Sequence, residues 1–234
     1  MIRGLVFFGF VICLALSVFW SAPSIDWRAV PAVLGGWYLA DAASGAAHMY
    51  LDYKPCQVGV GLDRLYFYRG PRDGPDYLAL KAQVFARISP LQRLVFDFKT
   101  HHPRPDALGR RTGLYLATSP ALLIALPLSL LLSVACWRQW VPGWLGIGAS
   151  VMLFGGALSQ YFHGALHNPD APWFVKIARS LRLLMTPTAH AVHHATLTQD
   201  FATTSGWANP ALNLVFVTLR RRGMMAHSGL EPTG

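Results

Sequence analysis

The sequence predicts an all-α integral membrane protein of four transmembrane helices, with cytoplasmic amphipathic helices packed over one end. Three observations carry that expectation. Of 234 residues, 53% are hydrophobic and only 13% charged, far from the balance of an average soluble domain. Four apolar runs, at about 4–22, 29–51, 113–137 and 141–166, are each long enough to cross the roughly 30 Å hydrocarbon core. The segments between them differ sharply in basic residues. The whole chain, 1–234, is expected to form one membrane-embedded domain.

The first run follows Met1-Ile-Arg3 and has the outline of a signal peptide. Ser21-Ala22-Pro23 is a poor small-residue cleavage site, so the run is expected to remain a helix. Of 20 Lys and Arg, one precedes this span, eleven lie between the second and third, and six follow the fourth. Arg28 and Arg138 alone occupy the two short turns. Positive charge accumulates on the cytoplasmic side, so both termini and the central segment are expected there. The net charge of +9 is then explained by topology and by attraction to anionic headgroups, and no nucleic-acid partner is needed. Cys13 and Cys136 fall in apolar runs and Cys56 in the central segment, without a disulfide spacing pattern.

The second span carries charge where charge is expensive. Asp41, Gly45, His48 and Asp52 are spaced 4, 3 and 4 apart and form one stripe on a helix. A carboxylate near hydrocarbon costs several kcal/mol unless paired, which makes it a site candidate. Asp52, one turn from His48, suits a metal ligand or a partner for an imidazole. Asp41 lies deeper, where a supporting or structural role fits better. Gly45 and its small neighbours suit helix packing.

His101 and His102 end a segment with apolar residues at Leu91, Leu94, Val95 and Phe98, expected to be an amphipathic helix on the membrane surface that Pro103 terminates. Adjacent positions diverge by 100° on a helix, so these two histidines suit two different metals. His163 and His167, at i and i+4 on the fourth span, share a face. Beyond it, Trp173, Phe174, Ile177, Leu181 and Leu184 oppose Lys176, Arg179 and Arg182, an interfacial helix leading to the densest motif. That motif, Thr186-Pro-Thr-Ala-His-Ala-Val-His-His194, puts His190, His193 and His194 on one helical face, with Thr186 as cap and Pro187 at the first position.

Eight of nine histidines thus converge on one membrane face, with only His227 left out. A lone histidine in an apolar run is usually a packed polar residue, but imidazoles in such number cannot all satisfy one another. Eight imidazoles and a carboxylate exceed the four ligands of a single zinc site, so two metals are expected. Imidazole suits Zn, Cu, Fe and Ni. At the bilayer edge the set is consistent with two irons that use O₂ against a lipid C–H bond.

These residues carry a resemblance. The run Leu39 to Asp52, the Phe98-Lys-Thr-His-His-Pro103 element, Ser159 to His167, and Ala189 to His194 with Thr203-Thr-Ser-Gly-Trp-Ala-Asn-Pro210 recur in the order of one family. Over about residues 38–220 the chain resembles the Kua-type lipid desaturases, which include plasmanylethanolamine desaturase, bacterial counterparts and a plant plastid fatty-acid desaturase. The chain departs from that pattern at Met49 and over 106–113. The resemblance implies two iron ions, O₂, an electron donor such as cytochrome b5 or a ferredoxin, and a phospholipid substrate. It maps metal binding onto His48, His101, His102, His163, His167, His190, His193 and His194, with Asp52 catalytic. The expected reaction is formation of a vinyl ether in the alkyl chain of a plasmanyl phospholipid. Fatty-acyl desaturation or hydroxylation is the near alternative. A non-catalytic haem or metal-binding membrane protein and a zinc hydrolase are the distant ones. A bacterial inner membrane is the expected location, with the endoplasmic reticulum as alternative.

Overall fold

In a computed structural model that describes residues 2–225 and 230, the chain is all-helical. His227 lies outside the described residues. Helix α1 (Ile2–Ser21) continues through a 3₁₀ turn to Ser24, and α2 spans Ala29–Tyr53. Four short helices follow: α3 (Leu62–Tyr66), α4 (Pro75–Phe85), α5 (Pro90–His101) and α6 (Pro105–Gly109). Then come α7 (Gly113–Ala117), α8 (Pro120–Trp137) and α9 (Gly143–Leu166), and finally α10 (Trp173–Ser180), α11 (Pro187–Thr196) and α12 (Asn209–Arg221).

Two of these, Ile2–Ser24 and Pro120–Trp137, are long and apolar enough to cross a membrane. A third is a pair, Gly143–Ala157 and Ser159–Leu166, bent by 48°. The bend follows Gly155-Gly156 and coincides with a hydrogen bond from the Ser159 hydroxyl to the Gly156 carbonyl, the small-residue pattern that kinks helices. The expected run 113–137 is divided. Pro120 disfavours helical backbone at Ser119, which is extended (φ −65°, ψ 167°), so α7 stops and α8 starts afresh. α2 has the length of a span but carries Asp41, Ser44, His48 and Asp52.

Small residues set the helix pairing. A Cβ on Gly36 would stand 2.2 Å from the Gly148 carbonyl oxygen, and one on Gly155 would stand 2.8 Å from the Ala40 Cβ. α2 and α9 therefore touch backbone to backbone, and they run in the same direction. The offset in numbering between Ala40 and Gly155 is also that between His48 and His163, so a parallel pair in this register brings those two histidines level. α1 and α8 form the other parallel pair, with the Ser21 hydroxyl 3.4 Å from the Cys136 thiol and Gln139 donating to the Trp20 carbonyl at the far end.

The opposite end carries the cap. α5 packs against this end, with Val95 and Phe96 buried and the Phe98 ring 5.2 Å from that of His48. The stripe expected to lie on a membrane surface is divided, with Val95 and Phe98 toward the bundle and Leu91 exposed on the outside. Along α10, Trp173, Phe174, Ile177 and Leu181 are exposed, while Arg179 points inward and donates to the Ala165 and Met185 carbonyls. α12 crosses α2 where Gly45 leaves room for Leu212 and Ala202.

Candidate metal centre

Four helices bring nine ligand-type side chains together. His101, His163, His167, His190 and His194 form one group, and His48, Asp52, His102 and His193 form a second. Within each group, one ligand atom per residue lies within 4.8 Å of all the others. The groups abut: the His101 and His102 rings are 4.2 Å apart, and His48 and His163 5.0 Å. Every histidine and aspartate marked in the sequence as a ligand or catalytic residue falls in one of the two.

Local structure explains the division. His101 and His102 end α5, and their 100° divergence sends one to each group. α11 repeats the device, with His190 and His194 facing one group and His193 the other. This helix is fixed at both ends. Thr186 accepts a hydrogen bond from the Ala189 amide, and Leu197, in left-handed conformation (φ 55°), donates back to the His193 carbonyl at 2.7 Å. α9 supplies His163 and His167, and α2 supplies His48 and Asp52, one turn apart in each case.

Hydrogen bonds aim the rings. His48 Nδ1 donates to the Phe201 carbonyl at 3.0 Å, His193 Nδ1 to the Gln199 carbonyl at 2.8 Å, and His101 Nδ1 to the Phe98 carbonyl. Each of these bonds fixes the tautomer and turns a bare Nε2 lone pair toward the centre, the arrangement usual for metal-bound histidine. Burial, reinforced by the neighbouring imidazoles, holds His102 and His190 far below the usual histidine range. The same causes bring His167 and His194 down to about 4. These rings are neutral at pH 7, as ligation requires.

A metal fits this donor set. Nε2 atoms of His190 and His167 are 3.2 Å apart, those of His194 and His190 3.1 Å, and those of His193 and His102 3.3 Å. Nitrogens roughly 2.1 Å from one ion stand roughly 3.0–3.4 Å apart at octahedral to tetrahedral angles. Nε2 of His101 and of His163 and Nδ1 of His190 are buried with no hydrogen-bond partner, a costly state unless something else satisfies them. The Asp52 carboxylate lies 3.3 Å from Nε2 of His48 and of His193 and 3.5 Å from that of His102. One carboxyl group therefore sits among three imidazoles in the second group, and none sits in the first.

Residues 91–232 match the family described as the lipid desaturase domain. The chain belongs to the lipid desaturase family. A lipid desaturase is an oxidoreductase that acts on a lipid in a membrane, which agrees with the helices long and apolar enough to cross one. The desaturase match takes in all five residues of the first group, but α2, with His48 and Asp52, lies before it. No curated protein and no solved structure matches the chain.

Asp41 makes no direct contact with the histidines through its hydrogen bonds. Its Oδ1 accepts from the Thr204, Ser205 and Gly206 amides at 2.8–3.2 Å, and Oδ2 accepts from Ala208 at 3.0 Å. It anchors the loop that precedes α12, the same stretch that presents the Gln199 and Phe201 carbonyls to the metal-facing rings. Sequence reasoning missed those carbonyls because a backbone acceptor has no residue signature. It also missed Gly109, whose added Cβ would stand 2.2 Å from the His167 carbonyl oxygen.

Proposed function

We propose that the protein is an O₂-dependent di-iron lipid desaturase that introduces the vinyl-ether double bond into the alkyl chain of plasmanyl phospholipids. The observation that carries this reading is the pair of abutting, largely buried donor groups, one of five imidazoles and one of three imidazoles and a carboxylate. Imidazole-rich sites suit iron, and two groups provide for two ions. His101, His163, His167, His190 and His194 would hold one iron; His48, His102, His193 and Asp52 would hold the other. When bound, the irons supply the redox chemistry by which O₂ becomes water while the lipid chain loses two hydrogens. The balance needs two electrons and two protons from a donor such as cytochrome b5 or a ferredoxin: CH₂–CH₂ + O₂ + 2e⁻ + 2H⁺ gives CH=CH + 2H₂O.

The chain's own residues do the positioning. The Phe98, Gln199 and Phe201 carbonyls orient three rings, Phe201 is wholly buried against His193, and the helical cap buries most of the donors, leaving His167 and His194 half-buried. Asp52 compensates charge in the second group and stands where a proton can be held at its carboxylate. Asp41 keeps the carbonyl-bearing loop in place. Four spans, with α2 as the second, put both termini and the centre on the cytoplasmic face of a bacterial inner membrane. The basic residues of the central and C-terminal segments support that orientation.

Expression in a bacterial host that makes alkyl ether lipids but no vinyl ethers tests the reading. Wild type is expected to bind two irons per chain and to yield an acid-labile vinyl ether only in air, and His194→Ala to lose the product. An acyl double bond without a vinyl ether would replace the ether substrate with a fatty-acyl one. Zinc in place of iron, or product formed without O₂, would overturn the di-iron reading.

A further inference from the structure

A cavity of about 770 Å³ lies on the flank of the bundle, walled by α1, α2, α7, α9 and α10. Its volume falls within the range of roughly 300–1,000 Å³ typical of small-molecule sites. The outer side is open, since Leu34, Leu114, Phe154 and Phe174 in its wall are exposed. α1 and α9 are apolar enough to cross a membrane, so this opening faces hydrocarbon. At the inner end stand Phe162, whose neighbour in the chain is the buried ligand candidate His163, and Leu184, two residues before the cap of α11.

The wall is built with its polar groups satisfied internally. Trp37 Nε1 donates to the Leu183 carbonyl at 3.0 Å and Trp207 Nε1 to the Arg182 carbonyl at 2.9 Å. Arg182 is held in left-handed backbone (φ 58°). Two indoles, Trp37 of α2 and Trp207 of the loop before α12, thus hold the 182–183 turn and leave an apolar lining. The rim at the metal-centre end is cationic. The Arg3 and Arg111 guanidiniums lie 4.7 and 5.0 Å from the Tyr115 ring. Tyr115 belongs to the same short helix as the lining residues Leu114 and Ala117, and Arg3 stands one turn before the lining residue Phe7.

An apolar chamber with a cationic rim has the chemistry of one ligand class. We propose that the cavity holds one aliphatic chain of a membrane phospholipid, with its phosphate at Arg3 and Arg111. Ala117 and Ala178, small side chains in the lining contributed by α7 and α10, leave width for the chain. This inference rests on the desaturase reading and adds to it the place beside the metal centre where the chain is held.

Photolabelling of the full-length, metal-loaded protein tests it without relying on turnover. The probe is a phosphatidylethanolamine with a diazirine midway along one chain, in phosphatidylcholine vesicles. In wild type the label is expected on Leu158, Phe162 and Leu184. Ala117→Phe and Ala178→Phe should each lower that labelling at least about 10-fold, the lower end of what one methylene is worth in an apolar pocket, with iron content retained. Leu131→Phe, on the exposed face of α8, should leave it unchanged. Arg3→Gln with Arg111→Gln should weaken labelling by the phospholipid roughly threefold, as suits exposed charges, but not labelling by a diazirine-bearing fatty alcohol. Label spread over the outer faces of α1 and α8, or unchanged labelling in both alanine variants, would overturn the proposal. Cavity labelling in a protein that makes no unsaturated lipid would remove the desaturase reading and leave the lipid site standing. Unsaturated product without cavity labelling would do the reverse.

Discussion

The two donor groups differ in composition and in where their residues come from. The first is all imidazole and lies wholly within the region that matches the desaturase family. The second includes a carboxylate and depends on α2, which precedes that region. Both groups are assembled by packing of separate helices, and the second alone draws on a helix outside the matched region. His48 and Asp52 reach the others because α2 and α9 run parallel in tight register through Gly36, Gly148 and Gly155. The first group holds imidazoles alone, whereas the second places a carboxylate among its nitrogens. An ion in the second is therefore better compensated, and the two should differ in how readily they lose metal.

The largest expected effect separates them directly. Asp52→Asn keeps the shape and removes the charge, so iron is expected to fall from two per chain to one, with activity down more than about 100-fold, above the range of outer hydrogen-bond partners. His163→Ala is expected to do the same through the first group. Metal analysis with a spectroscopic signature of the remaining iron should give two different single-iron forms. Identical spectra from both variants, or loss of both irons in each, would show one inseparable centre.

The stripe on α2 makes Asp41 the next test. Asp41→Ala would leave four amides of the 204–208 loop without their acceptor. At about 1–3 kcal/mol for each buried unsatisfied donor, reduced where water enters, the expected destabilisation is about 3–5 kcal/mol. The second group should suffer first, because the same loop carries the carbonyls that aim His48 and His193. Thermal melting with iron content checks both parts. A variant that melts normally with two irons would sever Asp41 from the centre.

What the sequence revealed follows the same division. Helical spacing identified every ligand candidate, because i, i+3 and i+4 fix which side chains share a face whatever the tertiary fold. It also gave the Thr186 cap and the stripe on α2. Spacing did not reveal the break at Ser119, which one proline controls inside a continuous apolar run, nor which residues of the α5 stripe the bundle covers. Amphipathicity reports that one face is buried, and whether lipid or protein covers it depends on neighbours the local pattern does not contain. The orienting carbonyls of Phe98, Gln199 and Phe201 were invisible for the same reason.

The smallest effects come from two glycines, one beneath each group. A Cβ on Gly109 would meet the His167 carbonyl at 2.2 Å, and one on Gly45 would meet Leu212 at 2.4 Å and the Ala202 backbone at 2.8 Å. Neither clash is relieved by a side chain alone, since backbone lies in both paths. Overpacking of this kind costs about 1–3 kcal/mol, and the strain should appear where the displaced backbone leads. Gly109→Ala moves the residue that carries His167 and should weaken metal retention in the first group. Gly45→Ala moves the segment that holds the Phe201 carbonyl against His48 and should weaken the second. Chelator-driven iron loss, followed as two kinetic phases, tests this: each substitution is expected to speed a different phase severalfold, and acceleration of the same phase by both would mean the groups share their support.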